Sequence, residues 1–180
     1  LRSRGLGDVY KRQVSKQDIV IGLGLSLPTI TQNLNNLAEL GLIDTSKKIS
    51  NTGGRNATAY SYIEKARYAV GLYLNRHHIN CVAVDLSGNV ISLIRVRENF
   101  DLNDDNYLRK IGETVEEVKK DTGLSDDRFL GVGIAVQGLI SDDGERVTYG
   151  LTLNFTGVTR ADIAKYIPYH LSLIHISEPT

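Results

Sequence analysis

One cysteine, Cys81, stands among the 180 residues. It excludes an internal disulfide and a zinc site built from cysteines. No apolar run approaches the roughly 18 residues that a membrane-spanning helix needs. The first residues show no secretory signal pattern, so a cytoplasmic location is expected. Net charge is also missing, with 21 Lys and Arg against 21 Asp and Glu. The balance is uneven along the chain. Residues 1–70 hold ten basic and five acidic side chains, and the remainder eleven and sixteen. A basic front and an acidic back fit a nucleic-acid module joined to something else. The first 13 residues supply four of those ten basic groups, so the charge agrees with DNA binding without establishing it. The hydrophobic share of 41% and charged share of 23% are those of a soluble globular chain of one or two small domains.

The most informative stretch runs from Ser15 to Tyr60. Ser15, with Asp18 three residues on, forms an acidic variant of the capping box and starts a helix. Ile19, Val20 and Leu23 supply its inward face, and Gly22 and Gly24 end it. Ser26 caps a second helix with Pro28 in its first turn. Ile30, Leu34 and Leu37 share one side of that helix, and Gly41 stops it. The opposite side carries Thr29, Gln32, Asn33 and Asn36. Gln and Asn can pair with adenine N6 and N7, and a threonine methyl suits the thymine methyl. No Lys or Arg lies on this helix, so a strong guanine contact is not expected. The competing reading is an amphipathic helix whose amides are merely solvated.

Beyond it, Leu42–Thr45 and 57–63 read as two strands. Between them lie Lys47, Lys48, Gly53, Gly54 and Arg55. Two glycines let backbone approach a groove closely, and an arginine suits the negative potential of a narrow minor groove. The alternative is an ordinary basic hairpin loop. Helix, turn, helix and hairpin together make a winged helix-turn-helix over residues 14–66. Its candidate DNA-contacting residues are Ser26, Thr29, Gln32, Asn33, Asn36, Lys47, Lys48, Gly53, Gly54 and Arg55.

From Tyr68 the pattern changes. Residues 69–74, 79–86 and 90–96 are apolar, β-branched runs, with Ser87-Gly88-Asn89 a tight turn. Residues 103–122 form an amphipathic helix. Leu108, Ile111, Val115 and Val118 point inward, and Glu113, Glu116, Glu117, Lys119 and Lys120 outward. Phe129 to Val136 fits a buried parallel strand. Adjacent His77 and His78 point to opposite faces of a strand and cannot easily share a metal ion. Asp85 belongs to a turn. Asp101, Asp104 and Asp105 suit a helix N-terminal region. Asp126-Asp127 and Asp142-Asp143 lie in loops and are not read as a catalytic pair.

Ser26-Leu27-Pro28-Thr29-Ile30, Glu39-Leu40-Gly41-Leu42-Ile43 and Gly53-Gly54-Arg55 resemble the DNA-binding domain of ROK-family repressors of the xylose and N-acetylglucosamine type. Asn56 stands where that family usually has proline. Val70 to Ile79, followed by Val84-Asp85-Leu86-Ser87-Gly88-Asn89-Val90, resembles the opening of the ROK lobe. The resemblance implies an α/β chain: a winged helix-turn-helix followed by a truncated actin-like, ribonuclease-H-like lobe over residues 67–170. ROK kinases carry an Asp and a Gly-Gly-Thr in the first hairpin for ATP phosphate and magnesium. Here Tyr73 replaces the Asp and Asn75-Arg76 the glycine pair, so the resemblance implies a regulator and not an enzyme. Gly138 and Asn154 could line an effector pocket, although kinases have proline where Gln137 stands. No cofactor is expected in this chain, since the family's zinc loop and catalytic region lie further along.

Residues 1–13 and 171–180 resemble translated sequencing-adapter text. They are read as a non-native leader and tail and predicted to pack poorly. The resulting expectation is a sugar-responsive transcriptional regulator. Its partners would be a double-stranded operator, a sugar or sugar-phosphate effector and a second copy of itself, with no membrane. The alternatives are a ROK sugar kinase with an appended winged helix, and a winged helix used only for protein contacts.

Overall fold

A computed structural model of the protein describes residues 13–49, 57–137, 139–143, 145–149 and 159–176. The chain divides into two compact units between Ala66 and Arg67.

The first unit opens with α1 (Lys16–Leu23). The Ser15 hydroxyl accepts the Asp18 N–H at 3.2 Å, and the Asp18 carboxylate accepts the Ser15 N–H at 2.8 Å. This reciprocal cap satisfies donors that a helix start leaves open. Two expectations for this helix are corrected. Gly22 lies within it, and Gly24 alone closes it, at φ 66° with its N–H donating to the Val20 carbonyl. Leu23 is 64% exposed, not inward, because nothing among the described residues covers the last turn. After a three-residue turn comes α2 (Leu27–Glu39), capped by Ser26 with Pro28 in its first turn. Ile30 and Leu34 are buried, but Leu37, expected on the same inward side, is exposed. Gly41, at φ 66°, follows the helix.

The hairpin after α2 consists of β1 (Ile43–Asp44), β2 (Lys48–Ile49), β3 (Ala57–Thr58) and β4 (Ser61–Tyr62). β1 pairs with β4 and β2 with β3, both antiparallel. The strand expected over 42–45 is thus shortened to β1, a further strand β2 appears at Lys48 where a loop was expected, and the strand expected over 57–63 is broken into β3 and β4. The cause is local: the Asp44 carboxylate accepts the Ser46 N–H at 2.8 Å. Such a side-chain turn diverts the backbone from the ladder. Val14 enters beside the break, exchanging hydrogen bonds of 3.1 and 2.8 Å with Tyr60.

The second unit contains β5 (Tyr68–Asn75), β6 (His78–Asp85), β7 (Val90–Arg97), α3 (Asp105–Asp121), β8 (Phe129–Gln137), the small pair β9 (Leu139–Ile140) and β10 (Val147–Tyr149), α4 (Arg160–Ala164) and β11 (Leu171–Ile176). Five strands form one sheet in the order β11-β8-β5-β6-β7. β5, β6 and β7 are an antiparallel meander, and β8 returns parallel to β5. The Asp85 carboxylate closes the second turn of that meander, accepting the Ser87 and Asn89 N–H groups at 2.8 and 2.9 Å.

Strand burial alternates strictly along β5 and β6, as a sheet with one covered face requires. The covered face meets α3, whose Leu108, Ile111, Val115 and Val118 are all buried with Leu72, Leu74, Ile79 and Ile134. Gly112 lies where α3 passes the backbone of Tyr166; a Cβ there would collide with that carbonyl.

Two further expectations are corrected here. Lys119, read as outward, is only 5% exposed. Its ammonium lies 3.7 Å from the ring centre of Tyr169, 4.8 Å from that of Phe129, and 3.2 Å from the Asp126 carboxylate. The long apolar stem lets a lysine be buried when its charge meets ring faces and a carboxylate. Residues 171–176, expected to pack poorly, form a parallel edge strand paired with β8 from Leu171–Val132 to Ile176–Gln137, and Leu171 is buried.

Candidate nucleic-acid interface

The polar side of α2 is the first candidate. Burial of Ile30 and Leu34 fixes the helix's rotation, which turns Ser26, Thr29, Gln32, Asn33 and Asn36 to solvent. The Ser26 and Thr29 hydroxyls are 2.8 Å apart. The Gln32 amide nitrogen donates to the Asn36 carbonyl oxygen at 2.9 Å. This bond orients both amides. It leaves the Gln32 carbonyl oxygen as an acceptor and the Asn36 nitrogen as a donor. Adenine presents the complementary pair in the major groove, N6–H₂ and N7.

Lys47 and Lys48 are exposed at the start of the hairpin's second segment. Gly53, Gly54 and Arg55 lie outside the described residues, as do Gly138 and Asn154. The structure therefore brings together the α2 set and places Lys47 and Lys48 on the adjoining hairpin.

Sequence reasoning passed over a cleft of about 450 Å³. Its walls are the start of α1, with Ser15, Lys16, Gln17 and Asp18, and the hairpin residues Ile49, Ala57, Thr58 and Tyr60. The bridge between Val14 and Tyr60 brings these segments together. A long-range pairing of single residues leaves no periodic trace in a sequence.

The turn between β5 and β6 is held by a side chain. β5 ends at Asn75, whose side-chain oxygen accepts the backbone N–H groups of His77 at 3.1 Å and His78 at 2.9 Å. Backbone donors at a tight turn are what a phosphate cradle uses. Here a side-chain amide already satisfies two of them.

Asp126, Asp127, Asp143 and Glu145 have structural partners. Asp126 pairs with Lys119. The Ser125 hydroxyl holds the Asp127 carboxyl below the usual carboxylate range. The Ser141 hydroxyl and the Glu145 N–H do the same for Asp143. Glu145 is gripped by Arg160 through two nitrogens, at 3.0 and 2.7 Å. Among the described residues no cluster of His, Cys, Asp and Glu could hold a metal ion, and no helix is long and apolar enough to cross a membrane.

With this geometry in hand, the comparisons with known proteins are specific about fold. No protein-family model matches the chain, and no curated protein matches it in sequence. Among solved structures, it is similar to a ROK family transcriptional regulator described as a homologue of the E. coli MLC protein. The likeness has a TM-score of 0.62 and 19% identity, and covers 94% of this chain and 44% of that one. The ROK hexokinase from Thermus thermophilus gives 0.46 with 14% identity over 60% of this chain and 34% of that one. A ROK family glucokinase from Streptomyces griseus, in complex with glucose and AMPPNP, gives 0.47 with 14% identity over 60% and 33%. The chain thus has a mixed α/β fold that matches the structure of a ROK family regulator over nearly its whole length. It spans less than half the length of that protein.

Proposed function

We propose that the chain is part of a ROK-family transcriptional regulator whose first unit is a winged helix-turn-helix that reads double-stranded DNA. The observation that carries this reading is the exposed amide face of α2, held outward by Ile30 and Leu34. A reading helix needs polar groups in solvent on one side and a fixed rotation from the other. Both conditions hold here. Two-fold assembly would place one α2 in the major groove of each operator half-site. Lys47, Lys48 and Arg55 would contact backbone or minor groove, with Gly53 and Gly54 permitting the approach.

The second unit is the sugar-sensing lobe in this reading, with Gly138 and Asn154 at the effector pocket. A cytoplasmic regulator of carbohydrate genes follows. The kinase alternative is disfavoured by Asn75, which blocks the backbone donors a phosphate would need, and by Tyr73 at the metal-binding position.

Fluorescence anisotropy with duplex DNA over a range of salt concentrations tests the proposal. Specific and non-specific binding should both weaken steeply with salt. Gln32→Ala should cost about 1–3 kcal/mol at one A·T pair and little elsewhere. Binding that is absent, or indifferent to salt, would instead favour a helix pair used for protein contacts.

A further inference from the structure

We infer that the corner of the sheet formed by His78, Arg95 and Arg97 is a binding site for a phosphorylated small molecule, separate from the DNA-reading helix. The register puts these groups on one face. His78 is directly opposite Arg97, and Asn80 directly opposite Arg95. On the other side of β6, Asn80 is opposite Tyr73 and His78 opposite Asn75. The corner therefore gathers two guanidiniums, an imidazole and two amides on neighbouring strands.

Among the described residues, neither Arg95 nor Arg97 forms an ion pair. Ion pairs among the described residues involve Lys110, Lys119, Arg160 and Lys165, all elsewhere. Glu98 follows Arg97, yet its carboxylate accepts the Asn99 N–H, and its charge acts on Tyr107 of α3. Arg95 is spent instead on a neutral contact, with its Nη2 3.2 Å from His78 Nδ1. That contact requires an unprotonated Nδ1. Desolvation, and then the charges of Arg95, Arg97 and His77, hold the His78 ring below the usual imidazole range. Arg95 and Arg97 lie two residues apart on β7, on one face of the sheet, so their like charges repel. An anion between them offsets that repulsion.

The chemistry favours a phosphomonoester. It carries close to two negative charges at neutral pH, matching two fixed guanidiniums, and its oxygens suit the forked donors of arginine. Backbone N–H groups do not build this site, because Asn75 has taken those of His77 and His78. Side chains on β6 and β7 build it. The inference stands apart from DNA reading, since every residue in it belongs to the second unit.

The test is an NMR titration of the 180-residue chain with inorganic phosphate and with a hexose 6-phosphate, at constant ionic strength maintained with chloride. The expected result is saturable movement of the His78, Arg95 and Arg97 signals. The His78 pKa should rise on binding, because the anion offsets Arg95, Arg97 and His77. The double variant Arg95→Gln/Arg97→Gln, checked for an intact sheet by its amide spectrum, should bind at least tenfold more weakly. Lys110→Gln, which removes one charge elsewhere on the unit, should titrate like the parent. Linear shifts matched by chloride would overturn the inference, as would an unchanged affinity in the double variant. If a short DNA duplex moves these signals and neither phosphate does, the small-molecule site is also wrong. A free hexose should leave the corner unmoved, and a response to it equal to that of its phosphate would refute phosphate recognition.

Discussion

The two units solve the problem of burial differently. Among the described residues, the first buries Ile30, Leu34, Ala59 and Ala66, while Ile21, Leu23, Leu25, Leu27 and Leu40 stay largely exposed. The second buries a continuous cluster from Tyr68 to Leu171, spanning four strands, α3 and α4. A helix that keeps one side polar and exposed can bury only one narrow stripe. A sheet covered by a helix buries every second residue of each central strand. Rigidity in the first unit therefore rests on caps and a few side chains, and in the second on packing.

The largest test of that contrast is a cavity in the second unit. Leu72→Ala removes a fully buried side chain and should cost about 3 kcal/mol. Urea unfolding followed by NMR should show the second unit's amides lost early and those of α2 unaffected. Simultaneous loss in both units would show that the division at Ala66 is not a division in stability. Lys119→Met should have a smaller effect, about 1–2 kcal/mol, from loss of its contacts with Tyr169 and Phe129.

The pH dependence of Lys119 has a definite sign. Burial pulls its pKa down, but the Tyr169 and Asp126 contacts outweigh burial and raise it above the ordinary lysine value of 10.5. Its contribution is fully present below that value and is lost as pH rises through the folded value. Thermal melts of the parent between pH 9 and pH 12 should lose stability more steeply than those of Lys119→Met; parallel curves would remove the role.

In the first unit, Ser26→Ala should cost about 1 kcal/mol by removing the cap of α2. Hydrogen exchange should speed up in α2 and stay constant in β5. The smallest effect in energy is the clearest in readout. Burial pushes the Cys81 thiol up to about 12. Alkylation at pH 8.5 should therefore proceed only when the second unit opens. Labelling of the folded chain at the rate of a free thiol would mean that the sheet is far looser than its packing implies.

Much of this was legible in the residues. Both helices of the first unit begin at the serines the sequence marks, and Gly24 and Gly41 take the backbone angles their positions demand. The β5–β7 meander and α3 match their expected spans within two residues. These features depend on neighbours in sequence. The broken hairpin was not legible, because one carboxylate at Asp44 competes with the strand ladder. Neither was Lys119, whose burial depends on rings from β8 and from Tyr169. β11 was misjudged for the same kind of reason: its partner β8 is remote in sequence.

From the sequence alone came the first two helices with their serine caps, the β5–β7 meander, α3, β8 and the polar face of α2. Periodicity and capping are short-range effects, written within a few residues of where they act. Tertiary structure alone decided that Gln32 and Asn36 lock each other's amides, that Val14 closes on the hairpin, and that His78, Arg95 and Arg97 share one face. Those outcomes depend on side-chain rotamers and strand register, which are settled only when distant segments compete for the same partners.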